Sequence, residues 1–80
     1  MAADLPRDEF IHCRLDELLQ EREMTLTRLS ELVGVSIVNL SVLKNDHAKA
    51  IRFSTLLSIC RALQCDVGDL LDTSRADENF

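Results

Sequence analysis

The 80-residue chain has no tryptophan and no tyrosine, one proline and two glycines. With so few backbone breakers and no strand-like alternation of apolar and polar residues, helix is the regular state that the pattern supports. No apolar run approaches the roughly 20 residues that a bilayer-spanning helix requires. The opening MAADLPRDEF is acidic and interrupted by Pro6, without the apolar stretch of a secretory leader, so the expected compartment is the cytoplasm. Basic residues are scarce as well: nine Lys and Arg stand against fourteen Asp and Glu, a formal charge of -5. Whole-chain attraction to a polyanion is therefore weak, and contact with phosphate would need a local concentration of charge.

Further absences narrow the chemistry. The chain has no Gly-rich phosphate loop, no carboxylate pair spaced for acid–base work and no nucleophile whose spacing brings a histidine to it, so enzyme function has no support. His12 and Cys13 are sequence neighbours and would point to different sides of a helix. Cys13, Cys60 and Cys65 are odd in number, and cytosolic thiols are kept reduced, which argues against a disulfide framework. Cys60 and Cys65 are spaced more widely than usual zinc ligands, and His12, His47 and Cys13 are dispersed, so no metal or cofactor site is expected. Cys60 is expected to pack, with the other two thiols partly exposed. No small-molecule ligand is indicated.

What remains is an apolar content of 46%, arranged with helical periodicity in a chain of single-domain length. Helix 1 is expected from about Asp8 to Glu21, with Ile11, Leu15, Leu18 and Leu19 on one stripe that ends in the charged Arg22. Asp8 and Glu9 suit its positive N-terminal end. Thr25 caps helix 2, which runs through Leu26, Leu29, Leu32 and Val33 and stops at Gly34. Ser36 caps helix 3. Only Gly34 and Val35 lie between, so helices 2 and 3 must cross steeply, and the small Ser30 sits at their close approach.

Leu40 and Leu43 point inward on helix 3, which turns positions 37, 38, 41, 42 and 45 outward. Residues 45–51 form a polar loop. Helix 4 begins near Phe53, with Ser54 as an alternative cap, and carries Phe53, Leu56, Leu57, Cys60 and Leu63 on one stripe. Asp66 caps a last short helix, with Asp69 three residues on and Leu70 and Leu71 folding back to the core. The polar tail 73–80 is expected to fray. The fold class is thus all-α: a compact five-helix bundle, one domain over 1–80 with an ordered core of about 8–72.

Charge is unevenly spread. Residues 1–35 carry four basic residues against eight acidic, and residues 62–80 one against five; residues 36–61 reverse the sign, with four against one.

The run LTRLSELVGVS, a short second helix closing on Gly-Val-Ser, resembles the helix-turn-helix of the phage Cro and repressor family, also called the xenobiotic-response-element type. The run NLSVLKNDHAKAIRFSTLLSICRALQCDVGDLL resembles a small branch of that family, stand-alone bacterial regulators that end in a similar CxxGDLL stretch. The resemblance spans about Ile11 to Leu71. It implies a lambda-repressor-like fold in which helices 2 and 3 form the DNA-binding pair. By position, Ser36 is the helix 3 cap near a phosphate, and Ile37, Val38, Asn39, Ser41, Val42 and Asn45 take base-facing or backbone-facing places. Thr27 and Arg28 lie at the start of helix 2, where the family approaches the DNA backbone. Leu26 departs from the family, in which this position is often a phosphate-contacting Gln.

Lys44, Lys49 and Arg52 lie in or just after helix 3, from where a helix-turn-helix could turn them toward one strand of phosphates. Ile37, Val38 and Val42 would suit the thymine methyl group in the major groove, with Asn45 or Asn39 pairing with adenine. The expected function is that of a sequence-specific transcriptional regulator of double-stranded DNA, acting as a homodimer because one helix reads too few bases. The alternative is a protein-interaction module that presents the same apolar helix 3 face to a protein partner.

Overall fold

In the computed structural model, which describes residues 9–75, the element order is β1 (Glu9–Cys13), α1 (Leu15–Glu21), α2 (Leu26–Val33), α3 (Ile37–Lys44), α4 (Phe53–Leu63), α5 (Val67–Leu70) and β2 (Leu71–Arg75). The five expected helices are present, joined by a two-stranded antiparallel sheet in which Glu9 faces Arg75, Ile11 faces Thr73 and Cys13 faces Leu71. The first helix is therefore half as long as its periodicity suggests. Its expected first turns are strand β1, and the acidic residues at its true N-terminal end are Asp16 and Glu17 rather than Asp8 and Glu9. Asp8 lies outside the described residues. The pairing that makes the strand comes from residues about 60 positions away, which local periodicity does not report. Residues 73–75, expected to fray, are held in that sheet, while 76–80 lie outside the described residues.

The caps follow local chemistry. Thr25 Oγ1 accepts the Arg28 N–H at 3.0 Å, and Ser36 Oγ accepts the Asn39 N–H at 3.1 Å. Both satisfy donors that a helix start leaves free. At the end of α5's first turn, Asp69 Oδ2 reaches back to the Asp66 N–H at 3.0 Å. Gly34 ends α2 with φ +73°, a left-handed conformation that glycine adopts with least strain. Arg52, without a side-chain cap bond, precedes α4; Ser54 is already inside the helix.

The core is built from Cys13, Leu15, Leu18, Leu19, Leu29, Leu40, Leu43, Leu56, Ile59, Cys60, Leu63 and Leu70. Each fully buried leucine or isoleucine contributes about 1.5–3 kcal/mol on leaving water. Three expected core positions are corrected. Ile11 is 57% exposed because strand geometry turns it past the core edge, and α4 rotates so that Ile59 enters the core while Phe53 is 87% and Leu57 51% exposed. Cys13, expected to be partly exposed, is buried at the base of β1.

Candidate nucleic-acid interface

The axes of α2 and α3 turn by 116° across the three-residue Gly34–Ser36 link. That angle lies in the range of a helix-turn-helix. The turn is pinned from inside, where Ser30 Oγ donates to the Val35 carbonyl at 2.6 Å. A larger residue at 30 would separate the helices, which is why a small hydroxyl suits the close approach. Leu40 and Leu43 anchor α3 in the core, and its opposite side stands free.

On that free side Val38 is 71% exposed, Ile37 45% and Val42 39%. Asn39 and Asn45 are exposed and Ser41 is half-buried. Helical spacing sets Val38 and Val42 in one row and Ile37, Ser41 and Asn45 in the next. The side is a band of methyl groups edged by two carboxamides.

Beside it lies a groove of about 610 Å³, walled by the Gly34–Ser36 turn, Asn39 and Val42 of α3, the loop residues His47 and Lys49, and Arg52 and Thr55 at the start of α4. Lys49 and Arg52 are exposed, and among the described residues neither has an acidic partner. Their charges are available to an anion, and the positive end of α4 adds to them. The structure separates Lys44 from this pair: its ammonium lies 4.0 Å from Asp16 and lines a second groove with Met24, Thr25 and Leu26 on the α1 side. Thr27 and Arg28 are exposed on the first turn of α2, with Arg28 Nη1 3.2 Å from Glu31 Oε1. Leu26 is half-buried against the core, so its apolar character serves packing.

A family profile described as the Cro/C1-type HTH DNA-binding domain matches residues 14–75. The chain belongs to this family. It is 54% identical over 65 residues to a Bacillus subtilis (strain 168) protein described as the uncharacterized HTH-type transcriptional regulator YozG, a match covering 81% of this chain and 76% of that one. The crystal structure of the transcriptional regulator VanUg, Form II, superimposes with a TM-score of 0.71 at 30% identity, covering 88% of this chain and 92% of the other.

Two groups of the Cro/C1-type fold were not singled out by sequence reasoning as part of the site. Thr55 lines the groove from the first turn of α4, three residues after Arg52, and carries neither a charge nor a place in helix 3 that would mark it in the sequence. Asp46, the one acidic residue of the basic segment, follows α3 and turns inward, accepting the Cys13 N–H at Oδ1 and lying 2.7 Å from His12 Nδ1 through Oδ2. An isolated carboxylate within a basic segment was the available signal. Burial raises the Asp46 pKa, but the Cys13 amide and His12 outweigh it and hold the carboxyl below its ordinary value. The same hydrogen bond raises the His12 pKa above its ordinary value, with a further push from Glu17, whose Oε2 is 3.5 Å from Nε2. Among the described residues, no single helix is long and apolar enough to cross a membrane.

Proposed function

We propose that this Cro/C1-type chain is a transcriptional regulator that binds double-stranded DNA with α3 in the major groove. The observation that carries the reading is the adjacency of the exposed α3 face to a groove bearing Lys49 and Arg52 without described acidic partners. The two parts divide the work. Lys49, Arg52, Ser36 and the first turn of α2, with Thr27 and Arg28, meet phosphates and set register, because phosphates are alike at every base pair. Lys44, turned toward Asp16, adds to the field on the opposite flank of α3.

Ile37, Val38 and Val42 read thymine methyls, and Asn39, Ser41 and Asn45 supply the hydrogen bonds to base edges. A·T-rich sites are favoured. The net charge of -5 opposes non-specific binding, so affinity depends on the local match between α3 and its site. One short reading helix covers few base pairs; a homodimer placing two of them about 34 Å apart would select an inverted repeat. The compartment is the cytoplasm.

Selection of bound duplexes from a random pool tests the reading. The expected product is an A·T-rich inverted repeat with half-sites one turn apart; a pool that does not enrich over successive rounds counts against DNA binding.

A further inference from the structure

Asp46 has φ 62°, a left-handed conformation in which an L side chain is strained and glycine is preferred. Its backbone closes α3: the Asp46 N–H donates to the Leu43 carbonyl at 3.1 Å and the His47 N–H to the Val42 carbonyl at 2.9 Å. Glycine would do this with less strain. The side chain is what a glycine would lack, and it reaches 33 and 34 residues back to the Cys13 amide and the His12 ring. Its charge also works against attraction to phosphate, since it follows the reading helix and stands three residues before Lys49.

We propose that Asp46 is a positioning residue for DNA reading, its carboxylate clasping the end of α3 and the loop that carries Lys49 to β1 through His12, with the imidazolium as the pH-sensitive half of the clasp. This rests on the DNA reading above. Protonated His12 can donate from Nδ1 to Asp46 and from Nε2 toward Glu17, joining the loop, β1 and α1 at once. A neutral ring has one N–H and can hold only one of them.

The groups facing the clasp are Asp46 from the loop, Glu17 from α1 and Asp72 opposite His12 on β2, with His47 acting on Asp46 from the loop itself. Asp72 is paired with Arg14, so Asp46 and Glu17 are the carboxylates left to the ring. The buried Cys13 thiol is held neutral by its burial and then by the nearby carboxylates, and contributes no charge. His12 gains a partner on folding, so its stabilisation is complete below the unfolded value of 6.5 and is lost as pH rises through the higher folded value. Asp46 works in the opposite sense: its contribution is present above 3.8 and fades as pH falls through its lower folded value. The clasp is therefore tightest in mildly acidic solution, and it slackens toward alkaline pH while the Cys13 amide bond persists.

The test uses the full chain and the duplex it selects. In the free protein, NMR titration should place the His12 pKa above 6.5, and Asp46→Asn should lower it. On DNA, Asp46→Gly should relax the backbone yet weaken binding by about threefold to tenfold near pH 6, with a smaller loss near pH 8. His12→Gln, which keeps a side-chain donor but cannot titrate, should bind with a flatter pH profile. His12 titrating at or below 6.5, or an Asp46→Gly protein with the parent's affinity and pH profile, would overturn the positioning role alone. A parent chain that enriches no duplex would overturn the DNA reading and the positioning role together.

Discussion

Arg22 Nε donates to the Leu63 carbonyl at 2.8 Å, so the end of α1 is tied to the end of α4. The same guanidinium reaches the Gln64 carbonyl through Nη2 at 3.3 Å. Gln64 is left-handed with φ 53°, and the helix that stops there leaves carbonyls without intrahelical donors. A cation is favoured at that negative end. This accounts for the charged residue that closes an otherwise apolar stripe. Arg22→Met keeps much of the aliphatic stem and removes the donors; the expected cost is about 1–2 kcal/mol. For a domain of this size that is a fall in Tm of roughly 4–16 °C. Calorimetry checks it, and an unchanged Tm would mean that water replaces the guanidinium without penalty.

The salt dependence of DNA affinity should separate the basic residues by their surroundings. Each neutralised phosphate contributes about -0.9 to the slope of log affinity against log salt, so Lys49→Ala or Arg52→Ala in a dimer should flatten the slope by about 2. Lys44→Ala should flatten it less, because its ammonium is within 4.0 Å of Asp16. Titrations on the selected site and on a scrambled one give the three slopes; equal slopes for all variants and the parent would make these residues ordinary surface charges.

Methyl readout by α3 predicts a dependence on thymine itself. Replacing a contacted thymine by uracil removes one methyl and should weaken binding by about threefold to fivefold, in line with about 0.8 kcal/mol per buried methylene-sized group. Val38→Ala should reduce that sensitivity most, since Val38 is the most exposed of the three apolar residues on α3. Competition between thymine and uracil duplexes measures it. Indifference at every position would assign the apolar band to another partner.

Cysteine chemistry should be slow in the native protein. Burial first, and then the neighbouring Cys60, push the Cys65 thiol from 9.0 up to about 11. That is about a hundredfold less thiolate at neutral pH, and the thiolate is the reactive form. Cys13 and Cys60 are buried. Alkylation followed by mass spectrometry should therefore show all three thiols modified only slowly until denaturant is added; rapid native labelling of Cys65 would contradict the assignment.

The helix-turn-helix was legible because its signals are local. Thr25, Ser36 and Asp66 act within three residues of themselves, and Gly34 satisfies a conformational demand at its own position. The inward positions Leu29, Leu40 and Leu43 follow from helical spacing on short helices with one packing side. The groove was only partly legible. Lys49 and Arg52 could be named from charge, but Thr55 joins them through the angle at which α4 starts, and Lys44 leaves them through a contact with α1.

By itself, then, the sequence determined the number of helices, the caps of α2, α3 and α5, the steep α2–α3 turn and the apolar character of the exposed α3 face, because each depends on residues within a turn or two of one another. Only the tertiary structure decided that residues 9–13 are strand, since the hydrogen bonds that make them so come from residues 71–75. It also decided the rotation of α4, which exposes Phe53 and buries Ile59, and the inward turn of Asp46 onto His12 and Cys13. A helical stripe states which residues could share a face; which part of that face meets the core depends on neighbours that the chain brings back from a distance.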